Sequence, residues 1–124
     1  MADAGTFVEL LLVLHTLTQQ PVPTDLPMIV IVSRSAMPCA CEAAFDDEKL
    51  YLRNDINWQD PKWLSIVLHE LAHYSQFSRN GPARDCNDWL SRERQAIEIQ
   101  IDYLESVNSP WRPINSYRCD SSKF

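Results

Sequence analysis

Glycine is nearly missing from this chain, at 2 of 124 residues against 8 prolines. So little glycine excludes a fibrous or linker-like protein, and 45% hydrophobic residues excludes a disordered one. Positive charge is the second deficit. Eleven Lys and Arg face seventeen Asp and Glu, which gives a formal net charge of −6. An acidic surface repels phosphate backbones and argues against a nucleic-acid partner. The acidic residues are scattered, so they form a solvated surface and not an acidic tail. Long apolar runs are missing too. The longest, residues 10–14 and 28–32, fall far short of the ~20 residues that a membrane span requires.

The chain is long enough for one hydrophobic core and too short for two, so residues 1–124 read as a single domain. The opening Met-Ala-Asp-Ala-Gly lacks the basic start of a signal peptide, although a leader removed and replaced by Met reads the same way. Cys39, Cys41, Cys86 and Cys119 are an even count and many for a reducing compartment. Two disulfides are expected, and with them a periplasmic or secreted location, the cytoplasm being the alternative. Cys39 and Cys41 sit so close in sequence that each is expected to reach Cys86 or Cys119. Reduced thiols and half of a zinc site are the other readings of the four. The sequence leaves the oligomeric state open.

The periodicity divides the chain simply. Thr6 and Glu9 fit a capping box, followed by Phe7, Leu10, Leu11, Leu14 and Leu17 at helical spacing. His15 on this leucine-rich helix reads as structural. Residues 28–32 form an uninterrupted β-branched and apolar run, as in a buried central strand. Residues 41–45 and 50–53 flank a polar tetrapeptide and predict a hairpin. Asp60-Pro61 then places an N-cap before proline at the first helical position, opening a helix to about Arg79. Asp88 is a cap for the next helix, patterned by Leu90, Ile97, Ile101 and Leu104. Trp58, Trp63, Trp89 and Trp111 are expected to pack the core and its edges. The sum is an α+β fold: an N-terminal helix, a small antiparallel or mixed sheet, then two helices.

The first of those two helices carries His69-Glu70-Leu-Ala-His73. Two histidines four apart stand one turn from each other on one face, so both imidazoles can meet one ion. Glu70, offset by one residue, can act on water at that ion without coordinating it, as a general base must. Zinc takes four ligands and keeps one position open when catalytic, so a third protein ligand is needed. The following helix offers Glu93. Glu98 is the rival, about 140° away around that helix. Ala96 beside Glu93 lets the two helices approach closely and favours Glu93. Gln76 and Gln100, each seven residues from a proposed ligand, and Tyr74, four after Glu70, are candidates for lining the pocket or holding substrate.

His69-Glu70-x-x-His73, nineteen residues, then Glu93-x-x-Ala96 resembles the gluzincin branch of the zincin metallopeptidases. His73-Tyr-Ser-Gln76 with Glu93 and Gln100 is also similar to small bacterial zincin-like domains. The resemblance covers residues 50–104. It implies a minimal zincin-like fold holding one Zn2+ through His69, His73 and Glu93, with Glu70 as catalytic base and a peptide or protein as substrate. It further implies that strand 50–53, ahead of the active helix, is an edge to which extended peptide pairs. Two departures stand out. Ile97 replaces the Asp that orients the first His in the family, leaving that support to Asp102 or a backbone carbonyl. The large C-terminal domain that supplies an oxyanion donor is absent, leaving Tyr103, Tyr117, Arg112 and Arg118 as candidates. The reading is a zinc-dependent peptidase. Its alternatives are a non-catalytic zinc-binding module and a secreted effector completed by a partner.

Overall fold

A computed structural model describes residues 4–46, 48–114 and 118–124. Among them the order is α1 (Ala4–Thr18), β1 (Met28–Val32), β2 (Ala43–Asp46), β3 (Lys49–Arg53), α2 (Pro61–Asn80) and α3 (Cys86–Ser106). Short 3-10 turns lie at Arg34–Ala36 and Ser121–Lys123. The α+β class holds. No helix of the described residues is long and apolar enough to cross a membrane.

The sheet is mixed, in the order β1-β3-β2. β3 pairs parallel with β1 and antiparallel with β2, so the expected hairpin is present. Two expectations about the strands are corrected. β1 is an edge strand, with Met28 and Ile31 largely exposed, not a central buried one. β3 is central, because its hairpin partner and β1 occupy both of its edges. Its alternation puts Leu50 and Leu52 fully inside and leaves Lys49, Tyr51 and Arg53 on the other face. Strand 50–53 therefore has no free edge for a peptide. The open edge on the hairpin side belongs to β2.

α2 follows from its caps. Asp60 accepts the Lys62 N–H at 3.0 Å, and Pro61 loses nothing at a position whose N–H has no helical partner. Gly81 ends the helix at φ +71°, a left-handed conformation that a side chain would strain, and its N–H reaches the Phe77 carbonyl at 2.8 Å. α1 is described from Ala4, two residues before Thr6, which lies inside the helix and does not cap it. α3 also begins early. Asp85 is its N-cap, accepting the Asp88 N–H at 2.8 Å, and Asp88 is spent on Arg92 and the Arg84 N–H. An Asx cap three residues upstream satisfies the first-turn donors as well as Asp88 could, and it draws Cys86 into the helix.

Leu68 and Leu71 of α2 join Leu14 of α1, Leu50 and Leu52 in one core. Trp58 packs edge-on against Phe7, at 5.7 Å between rings. α2 and α3 make the most extensive contact in the fold. Their facing stripes are small or polar: Ser65, His69, Ala72 and Gln76 on one, Glu93, Ala96 and Gln100 on the other. Ala96 is fully buried, which permits the close approach.

The cysteines pair as Cys39–Cys41 and Cys86–Cys119, which corrects the expected cross-pairing. The irregular loop between β1 and β2 lets Cys39 and Cys41 approach to 5.2 Å between Cα atoms, inside the normal range for a disulfide. The second bond fixes the tail to the first residue of α3. A bridge spanning 33 residues removes far more freedom from the unfolded chain than one spanning 2. Replacing Cys86 and Cys119 by Ser is expected to cost about 4 kcal/mol in denaturant melts on the loop-entropy scale. Replacing Cys39 and Cys41 is expected to cost much less, and equal losses would contradict this division.

Candidate metal centre

Nε2 of His69 and of His73 stand 3.2 Å apart, with the rings edge to face at 77°. Glu93 reaches both from α3: Oε2 lies 3.4 Å from His69 Nε2, and Oε1 is in direct contact with His73 Nε2. One ligand atom from each of the three residues falls within 4.8 Å of the others, so the group could hold a metal ion. Glu98, the rival, is exposed on another face of α3.

Each imidazole's outer nitrogen is used. His69 Nδ1 donates to Gln100 Oε1 at 3.0 Å, and His73 Nδ1 donates to Gln76 Oε1 at 2.9 Å, since an amide oxygen can only accept. Both Nε2 lone pairs of the neutral rings then face the Glu93 carboxylate. Three acceptors meet with no proton between them unless one ring becomes charged. Glu70 Oε2 and Glu93 Oε2 are buried without a hydrogen-bond partner among the described residues. A cation satisfies this set, so the residues present fit a divalent metal.

The charges respond to one another. Burial alone lowers the His73 pKa, but the bond to Glu93 and the nearby Glu70 charge outweigh it and raise it to about 9. Burial raises Glu93, yet the two histidines outweigh it and bring it down to about 2. Glu70 is pushed up by burial, which the two histidines only partly oppose. Its carboxyl also lies against the Phe45 backbone amide of β2.

Two cavities meet at this cluster. One, of about 400 Å³, is bounded by His69, Glu70, Glu93 and Gln100 and has an apolar wall of Ile66, Trp111, Pro113 and Ile114. The other, of about 690 Å³, lies on the His73 side and is bounded by Phe45, Phe77, Trp89, Asp46, Glu48 and Lys123. Ala44 and Cys39 border both. The tail is thus a wall of the cleft, and Trp89 and Trp111 line it instead of only filling the core.

Of the pocket candidates, Gln76 and Gln100 border the cleft while holding the histidines. Tyr74 borders neither cavity: its hydroxyl donates to the Asp25 carbonyl at 2.9 Å and its ring packs on Phe45. The support expected from Asp102, which is exposed, comes instead from Gln100, two positions earlier and on the inner face. Tyr103 packs against the core, Arg112 binds the Ser109 and Trp111 carbonyls, Arg118 is exposed, and Tyr117 lies outside the described residues. Lys123 was not foreseen. No local pattern marks it, because the Cys86–Cys119 bridge brings it to the cleft. Comparison with protein-family models, curated proteins and solved structures finds no match to this chain.

These shifts set a pH dependence for the metal-free fold. His73 is raised from 6.5 to about 9, so its contribution is complete below 6.5 and is lost as pH rises through 9. Glu93 is lowered from 4.5 to about 2, so its contribution is present above 4.5 and is lost as pH falls through 2. In chelator, denaturant melts are expected to weaken between pH 6.5 and 9, and Glu93→Gln should flatten that slope. An unchanged slope in the variant would refute the pairing.

Proposed function

We propose that this protein is a zinc-dependent hydrolase, a peptidase of gluzincin-like design, working in the periplasm or outside the cell. One observation carries the reading: three acceptor side chains converge from two helices beside the Glu70 carboxyl, one oxygen of which is buried without a hydrogen-bond partner, at the meeting point of two cavities. His69, His73 and Glu93 would hold Zn2+, the divalent ion suited to an N/N/O set from two imidazoles and a carboxylate. When bound, zinc supplies Lewis acidity, polarising a carbonyl and acidifying water.

The chain's own residues do the rest. Glu70, held up in pKa by burial, takes a proton from water in the cleft and passes it to the leaving amine. The open edge of β2 offers main-chain groups to an extended peptide. Ladder alternation turns the main-chain groups of Ala43 and the Phe45 carbonyl outward, while the Phe45 N–H is engaged by Glu70. The wall of Ile66, Trp111, Pro113 and Ile114 suits an apolar side chain. Two disulfides fit a location outside the reducing cytosol.

A second reading, zinc as a stiffener without turnover or activation by a partner, is favoured by one fact. Tyr103, Arg112 and Arg118 border neither cavity, which leaves, among the described residues, Lys123 and the Asp88-paired Arg92 as the cations at the cleft. The decisive experiment is cleavage of a broad peptide library by zinc-loaded protein. Turnover is expected, and Glu70→Gln should reduce it ~100-fold or more while zinc stays bound at one equivalent. Zinc bound without cleavage selects the second reading. His69→Ala and His73→Ala are each expected to lose zinc and thermal stability together. Full zinc stoichiometry in either would overturn the ligand assignment.

A further inference from the structure

The two glutamines that hold the histidines are themselves held, and the direction of each bond can be followed outward. Gln100 Nε2 donates to Ser65 Oγ at 3.1 Å, and Ser65 Oγ donates to the Lys62 backbone carbonyl at 2.7 Å. The carbonyl cannot donate. The Ser65 hydroxyl has one proton, and it is spent there, so Ser65 offers Gln100 a lone pair. Gln100 must then present its NH2 to Ser65 and its oxygen to His69. Further along the same helix pair, Gln76 Nε2 of α2 donates to the Arg92 carbonyl of α3 at 3.0 Å and to Gln95 Oε1 at 2.8 Å. Both are acceptors, so Gln76 likewise turns its oxygen to His73.

Flipping either amide would set an NH2 against an imidazole nitrogen and an oxygen against an acceptor. Inside a buried interface each such mismatch costs a full desolvation. We propose that Ser65 through Gln100, and the Arg92 carbonyl through Gln76, are positioning groups that fix the proton of each imidazole on Nδ1 and leave Nε2 bare for a cation. The inference rests on the metal-holding role of His69, His73 and Glu93. It adds that neutral amides of set polarity, not carboxylates, prepare the ligands, and that Ser65, which is fully buried and lies beyond Gln100, controls metal affinity.

The relay predicts a coupling that simple packing does not. In Ser65→Ala nothing fixes the Gln100 amide, so it can turn its NH2 to His69 and move the ring proton to Nε2. Zn2+ affinity, measured by chelator competition, should fall ~10-fold or more, the usual scale for losing an outer partner of a metal-ligating His. Gln100→Glu has no donor to present. It should therefore recover more affinity in the Ser65→Ala background than it adds when Ser65 is present, a non-additivity read from the four proteins. Imidazole 15N spectra of metal-free protein give a second readout. They should place the His69 proton on Nδ1 in the wild type and shift it toward Nε2 in Ser65→Ala. The inference is overturned if Ser65→Ala binds Zn2+ within twofold of the wild type, if Gln100→Glu acts equally in both backgrounds, or if the His69 proton does not move. A wild-type protein that binds no Zn2+ would sink the metal reading, and the spectra would still decide the relay.

Discussion

The constraint on which this molecule turns is the close, antiparallel packing of α2 on α3 through side chains that are small or polar. A leucine seam would stabilise the pair more simply. Here the seam carries Ser65, His69 and Gln76 against Gln100, Glu93 and Arg92, and each buried polar group must find a partner of the right sense or lose its hydration for nothing. Ala96 and Ala72 keep the helices near enough for those partners to meet. The aliphatic core lies around this seam, where Leu14, Leu50, Leu52, Leu68 and Leu71 supply the burial that holds it shut.

The centre behaves as a set of opposed demands. Glu93 is kept ionised by two imidazoles, His73 is drawn toward its charged form by two carboxylates, and Glu70 is pushed up by burial with only the Phe45 backbone amide as a hydrogen-bond partner. With a proton as the only cation, one ring satisfies Glu93 while Glu70 stays strained toward its neutral form. A divalent ion held by His69, His73 and Glu93 would relieve these demands together. Affinity at such a place comes as much from the discomfort of the alternatives as from the bonds formed.

Much of this was legible in the residues. His69, His73 and Glu93 declare themselves by helical spacing, and Ala96 selects Glu93 over Glu98 by leaving room for the neighbouring helix. Asp60-Pro61 and Gly81 bound α2 by local chemistry alone. The failures are non-local. The run at residues 28–32 is as apolar as a central strand, but hairpin closure places β3 between β1 and β2. Asp85 and Asp88 are equivalent as caps by composition, and Asp88 is claimed by Arg92. Gln100 could not be recognised as the partner of His69 without the register between the two helices, and Lys123 could not be placed without the bridge that carries the tail back.

That bridge separates two properties that small proteins usually keep together. Among the described residues the tail packs no large side chain into the main core, yet Trp111, Pro113, Ile114 and Lys123 shape the ground on either side of His69, His73 and Glu93. Its far end is tethered covalently at Cys86, while Trp111 lies under the Lys62 ammonium near its start. A chain in which the tether is open can therefore retain its helices and sheet intact and still present a shallow, half-walled basin.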